Sequence, residues 1–257
     1  MTPARKTKAS IKKTTPKKTS ARHAAKPARP STRIVLRTRF ALLKRPALRV
    51  HALAVYEELA RLYPTAHCEL DFRNPYELTA ATILSAQCTD KRVNMTTPAL
   101  FAAYPDAHAL ANAAPEQVEE LVKSTGFFRA KTKSLIGMAQ AVVAKYGGEI
   151  PRTMEELVVL PGVGRKTANV VLGNAFGINA GVVVDTHVGR LAIRLGLTRA
   201  TDAVKVESAL IPLFPRETWA MLAHLLIWHG RQVCDARSPR CGSCTLRPRC
   251  PSAPPGQ

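Results

Sequence analysis

Four of the six cysteines, Cys234, Cys241, Cys244 and Cys250, lie within 17 residues in the spacing C-x6-C-x2-C-x5-C. Four thiolates in so short a loop match a tetrahedral zinc or an iron–sulfur cluster, and spacing alone leaves both open. The leader has no apolar core of a secretory signal, so a reducing compartment is expected and disulfides are not. Arg237, Arg240, Arg247 and Arg249 share the loop. A bound metal would therefore hold a cationic loop in shape for phosphate contact. Cys68 and Cys88 stand outside the set and read as buried, unreactive thiols.

A second group of residues lies at Leu160-Pro161-Gly162-Val163-Gly164-Arg165-Lys166-Thr167. Pro161 stops one helical pattern and a new one starts at Arg165. Gly162 and Gly164 are expected to permit positive φ and to clear side chains from the turn. Backbone N–H groups can then point outward where the next helix presents its positive dipole end, a phosphate site that reads no base sequence. The pattern is a helix–hairpin–helix. It is not a P-loop, because the G-x-x-x-x-G-K-[ST] spacing fails.

Lys166 falls in the first turn of the helix after the hairpin. The dipole there, and partial burial if it occurs, favour the neutral amine that a nucleophile needs. A phosphate-contacting lysine is the equal alternative. Asp185, in Val184-Asp185-Thr186-His187, precedes another helix and reads as its N-cap, a role that can coexist with catalysis. Spacing alone does not pair Lys166 with Asp185.

The elements that must position these groups are helices. From 48 onward apolar residues recur every three to four positions, as in Leu48, Ala52, Val55, Leu59 and Leu62. Asn74-Pro75-Tyr76-Glu77 is a helix start, and helices are expected over 90–103, from Pro115 to Gly126, over 129–146 and over 165–176. Thr153 should cap a short helix, and Gly147-Gly148 should end the long one in a left-handed cap. Further helices should lie near 188–195, 203–213 and 217–231. Val182-Val183-Val184 is the one strand-like run, too short for a sheet. The expected class is all-α.

Charge sets the partner. The 38 Lys+Arg against 18 Asp+Glu give +20, and residues 1–50 hold 16 of the basic residues and no acid. The rest carries 22 basic and 18 acidic residues (38 − 16 = 22), a net of +4. Residues 1–33 have almost nothing to bury and are expected to form a disordered cationic tail on nonspecific DNA, a targeting segment or solvated filler being the alternatives. A hydrophobic content of 46% excludes wholesale disorder of the remainder, and no run of 18 apolar residues exists to cross a membrane. Excess positive charge of this size points to nucleic acid.

These residues together resemble the endonuclease III family, bacterial DNA glycosylases/AP lyases of the helix–hairpin–helix superfamily. The resemblance rests on Ile83–Asp90, on Leu160–Val171 around the hairpin, on Val184–His187, on His229-Gly230-Arg231 and on the four-cysteine loop. It covers about residues 46–251. It implies two helical domains with a DNA groove between them. One is a six-helix barrel over 68–178 with the hairpin. The other is an iron–sulfur domain from 46–67 and 179–251, behind a basic tail over 1–45. It implies a 4Fe–4S cluster on Cys234, Cys241, Cys244 and Cys250, Lys166 as catalytic lysine and Asp185 as catalytic aspartate. Gly162, Val163, Gly164, Arg165 and His187 are expected to contact DNA. Gln87 and Phe127 are expected to fill the gap left by an extruded base, Phe127 where the family more often has an aliphatic residue. The implied activity is excision of oxidised pyrimidines through a lysine Schiff base, with strand cleavage 3′ to the abasic site. The implied setting is a monomer on damaged duplex DNA, away from membranes, in a bacterial cytoplasm and associated with the nucleoid. The alternatives are an adenine-mismatch-type monofunctional glycosylase and a non-catalytic helix–hairpin–helix DNA-binding module.

Overall fold

The structure, a computed structural model, describes residues 45–255, all within one compact unit. The tail expectation falls on residues 1–44, outside the described residues, and Arg45 already opens the first helix.

Among the described residues there are eleven α-helices and no strand. They are α1 (Arg45–Leu62), α2 (Pro75–Leu84), α3 (Asp90–Ala103), α4 (Ala107–Ala111), α5 (Pro115–Val122), α6 (Phe128–Tyr146), α7 (Met154–Leu157), α8 (Arg165–Ala175), α9 (Thr186–Arg194), α10 (Ala203–Leu210) and α11 (Trp219–Gln232). Val182–Val184 forms no strand.

Local chemistry sets most helix starts. The Asn74 side chain accepts from Glu77 N at 2.9 Å with Pro75 in the first turn, while the Glu77 carboxylate reaches back to Arg73 N at 2.7 Å. Thr153 and Glu156 form a reciprocal pair at α7: Glu156 N donates to Thr153 Oγ1, and the hydroxyl donates to Glu156 Oε2. Asp185 and Asp202 cap α9 and α10 by accepting from Val188 N and Lys205 N. Gly147 ends α6 at φ +62, the left-handed stop expected there.

Packing divides the apolar side chains into two clusters. The first runs from Leu70 to Leu172 and is built by α2–α8. Its centre is α2, buried on all sides from Tyr76 to Leu84, as expected of a helix without a polar face. The second takes Ala52, Val55 and Leu59 of α1 together with Val182, Val183, α9–α11 and Leu246 of the cysteine loop. Val170 of α8 packs against both clusters, so α8 lies along their boundary. That places the first turn of α8, with Lys166, where the two cores meet.

Candidate active site and DNA interface

The hairpin joins α7 to α8. Gly162 has φ +77, and a Cβ there would stand 2.7 Å from Ser134 Cβ, so both backbone and space require glycine. Gly164 departs from expectation. Its φ is −91 and ψ 176, the extended backbone of an N-cap, not the left-handed region. A Cβ on it would meet nothing within 4 Å, so this face of the turn is open. No side chain caps α8, and the first bonded amide is Ala168 N, to Gly164 O at 2.9 Å. The amides before it are the orphan donors of a helix start, aimed along the dipole.

Two residues expected at DNA are engaged elsewhere. Val163 has its side chain in the first core and its N–H on Leu160 O at 3.0 Å. Arg165 is held in a fork by Glu207, Nε to Oε2 at 2.7 Å and Nη2 to Oε1 at 3.1 Å. Glu207 is buried, accepts also from Asn169 Nδ2 at 3.0 Å, and leaves no room for a Cβ at Gly181. The arginine charge is thus matched inside the protein, and Glu207 braces the start of α8 against α10.

Lys166 and Asp185 come together. Both line a cavity of about 100 Å³ and the adjoining open groove of about 790 Å³. Asp185 caps α9 with Oδ1 on Val188 N at 2.8 Å, so the N-cap reading holds and the other carboxylate oxygen is left to face the cavities. Lys166 is exposed on the first turn of α8, so the partial burial allowed for it is absent.

Gln87 and Phe127 lie on exposed loops, with φ of 52 and 48. Among the described residues they are the only non-glycine residues with left-handed backbone. Such a conformation costs roughly 1–2 kcal/mol per residue and concentrates where function holds it. Phe127 is 67% exposed, although a phenyl ring gains most from burial.

His187 Nδ1 accepts from Arg190 Nη2 at 3.2 Å. Burial first, then Arg190 and Arg231, pull its imidazole below the usual histidine range, against Asp185. The ring lines the groove beside Asp185. Sequence reasoning assigned no role to the group beside it. Arg231 of α11 binds both Glu69 and Asp90, with Nη2 to Asp90 Oδ2 at 2.7 Å, and all three line the cavity with Lys166. Trp228 and His224, one and two turns before that arginine on α11, line it too. The available signal was their spacing on one helix face with Arg231.

The four cysteines surround a second small cavity, closed by His229 and by the fully buried Leu246. Cys241 opens one 3-10 turn and Cys250 follows another. Arg194 Nη1 donates to Cys234 Sγ at 3.3 Å, and His229 Nε2 lies 3.5 Å from Cys244 Sγ. Burial pushes the Cys250 thiol up to about 11, with the neighbouring cysteines adding to it. A cationic metal centre would reverse that bias and hold the sulfurs as thiolates. Cys68 and Cys88 are half-buried, and line the cavity beside Lys166 and the groove respectively.

Residues 80–216 match the family described as HhH-GPD superfamily base excision DNA repair protein. The chain is 57% identical over 195 residues to the endonuclease III of Synechocystis sp., covering 76% of this chain and 89% of that protein. The endonuclease III of Bacillus subtilis is 45% identical over the same shares. A solved structure of a non-covalent endonuclease III–DNA complex superposes with a TM-score of 0.76 at 42% identity, over 82% of this chain and 97% of that one. A trapped endonuclease III–DNA covalent intermediate matches with the same TM-score and identity. The chain belongs to the HhH-GPD superfamily of base excision DNA repair proteins and, within it, to the endonuclease III family.

Proposed function

We propose that the chain is a bifunctional DNA glycosylase/AP lyase that removes oxidised pyrimidines from duplex DNA and cleaves the strand 3′ to the abasic site. The observation that carries this reading is the meeting of Lys166 and Asp185, on the first turn of α8 and the N-cap of α9, at one cavity beside one groove.

The orphan amides at the start of α8 hold a backbone phosphate, and Gln87 and Phe127 enter the space the damaged base leaves. The base enters the cavity. Lys166 Nζ, neutral, attacks C1′, and the C1′–N bond breaks as the base leaves with its electron pair and takes up a proton. The free oxygen of Asp185 stabilises the positive charge that develops on the sugar and accepts the ammonium proton of Lys166. The adduct becomes a Schiff base. Its iminium acidifies the C2′ hydrogen, and loss of that proton expels the 3′ phosphate by β-elimination. That a related endonuclease III has been trapped covalently on DNA supports the lysine chemistry.

Cys234, Cys241, Cys244 and Cys250 would hold the 4Fe–4S cluster. The donor set fits: four sulfurs line one cavity, with Arg194 donating to the sulfur of Cys234. When bound, the cluster supplies cross-links that shape the loop, with Arg237, Arg240 and Arg249 exposed on it for phosphate. The separate cores support two domains, 68–178 and 46–67 with 179–251, and the groove with Lys166 runs between them. The setting is damaged duplex DNA in the nucleoid of a bacterial cytoplasm.

Borohydride trapping on abasic duplex tests this. Wild type should give a covalent adduct and a cleaved strand, and Lys166→Gln should give neither while still binding. Excision without adduct or cleavage would make the protein a monofunctional glycosylase. Binding without either would make it a non-catalytic module.

A further inference from the structure

One buried carboxylate touches both arms of the pair formed by Lys166 and Asp185. Glu207 of α10 is 5% exposed and meets three separate pieces of chain. The first is Arg165, the residue before Lys166, whose guanidinium makes the two-bond fork described above. The second is Asn169, one turn further along α8, whose Nδ2 donates to Glu207 Oε1 at 3.0 Å. Arg165 and Asn169 share a helix face, so the turn that carries Lys166 is held at both ends. The buried Oδ1 of Asn169 has no partner among the described residues, which leaves Glu207 to fix that amide. The third is Gly181, in the connector that ends at Asp185. Gly181 does not occupy the left-handed region, so space alone requires glycine there. A Cβ on it would overlap Glu207 Oε1 and stand 2.8 Å from Asn169 Nδ2. Val182 and Val183, which follow, are locked in the second core, and Asp185 then caps α9.

We propose that Glu207 is a positioning residue, which sets the separation of Lys166 from Asp185 by fixing the first turn of α8 against the connector that delivers the aspartate. The inference rests on the reading above that these two residues carry the chemistry. Glu207 itself lines neither the cavity nor the groove, so it acts through the residues it holds. A carboxylate suits the task. It only accepts, and its two oxygens take an arginine fork and an amide at once, fixing a plane as well as a distance. Misplacing a reacting group by about 1 Å can cost about 10²-fold in rate. The two chemical steps differ in what they demand. Base excision needs both residues in register, since Lys166 attacks C1′ while Asp185 steadies the charge on the sugar. Addition of Lys166 to the aldehyde of a ready-made abasic site breaks no C1′–N bond and asks less of Asp185. A displaced pair therefore loses excision before it loses Schiff-base formation.

The test uses the full-length chain at saturating concentration in single turnover. It measures excision of thymine glycol from duplex DNA and borohydride trapping on abasic duplex, and takes their ratio. Glu207→Gln keeps the volume and an acceptor for Asn169 but breaks the fork on Arg165. Arg165→Gln breaks the same fork from a side chain that is 47% exposed. Gly181→Ala drives a methyl group against the carboxylate from the connector. In each variant the ratio should fall by roughly tenfold or more, because excision slows while trapping is largely kept. In the double variant Arg165→Gln should add little to Glu207→Gln, since both remove one interaction. A protein that is only part-folded loses both activities in proportion and keeps the wild-type ratio. An unchanged ratio in any variant that folds overturns the inference, and the half-exposed Arg165 keeps that outcome within reach where the buried changes do not fold. A wild type that fails to trap on abasic duplex would sink the proposed function instead. A wild type that excises and traps, with variants that keep its ratio, would sink only the positioning role.

Discussion

Replacing Phe127 separates what this side chain does for DNA from what it does to the fold. Phe127 sits at φ 48 and ψ 29 just before α6, with its ring 67% exposed. In the free protein the ring therefore contributes little burial, while the left-handed backbone costs roughly 1–2 kcal/mol. Phe127→Gly removes that strain but adds chain entropy to the unfolded state, about 0.5–1 kcal/mol against it. The net is a stabilisation of between about 0 and 1.5 kcal/mol, or up to about 6 °C in Tm for a chain of this size. Phe127→Ala keeps the strain and loses the ring, so it should be less stable than Phe127→Gly by roughly 1 kcal/mol. Excision should move the other way. Without the ring nothing replaces base stacking worth about 1–3 kcal/mol, and single-turnover excision in both variants should fall roughly 10- to 100-fold. Thermal melts and single-turnover excision on the same preparations provide the comparison. Wild-type excision by both variants would refute the gap-filling role, and a Gly variant less stable than the Ala variant would refute the strain argument.

Glu207→Gln breaks the fork on Arg165 while leaving an acceptor for Asn169, so it frees one cation beside the phosphate site. The log–log salt slope for duplex binding should steepen by about 0.9, and an unchanged slope would mean that Arg165 does not reach a phosphate. His224 titrates near 4 in the folded protein against 6.5 unfolded, so the unfolded chain binds the extra proton between these values. Its contribution is complete above pH 6.5 and is lost as pH falls toward 4, about 2 kcal/mol of it by pH 5. Denaturant titrations at pH 7 and about pH 5 should differ by that much less in His224→Gln, and equal losses in both proteins would refute the assignment. Cys244→Ser should lower the iron content and the broad absorbance near roughly 400 nm of the purified protein. Wild type holding one zinc and no iron would show the cluster assignment wrong.

How much of this was legible depends on how far each interaction reaches along the chain. The bounds of α3 and the start of α5 were readable because Thr89, Pro105 and Pro115 act on their immediate neighbours. The five-residue helix α4 was missed, since Ala107–Ala111 is too short to show a stripe and its Asp106 cap looks like any loop aspartate. Gly164 was misjudged because glycine is compatible with an extended N-cap as well as with positive φ. The ion pairs of Arg231 with Glu69 and Asp90 span 162 and 141 positions, and nothing local announces them. The left-handed turn at Phe127 is the instructive case. Phenylalanine gives no local reason for positive φ, so the conformation must be imposed from outside the residue. Lys131 supplies one restraint. It occupies the buried stripe of α6 shared with Leu135, Met138 and Val142, and its ammonium donates to Thr125 O at 2.8 Å. Gly126, with φ +72, completes the turn through its N–H on Lys123 O at 3.3 Å. A buried lysine bonded to the carbonyl two residues before Phe127 ties the loop to the core at the point where the backbone must reverse. The sequence did carry a signal, a lysine in an apolar stripe. Read as a group that must find a partner at depth, it marks the turn as restrained by the core.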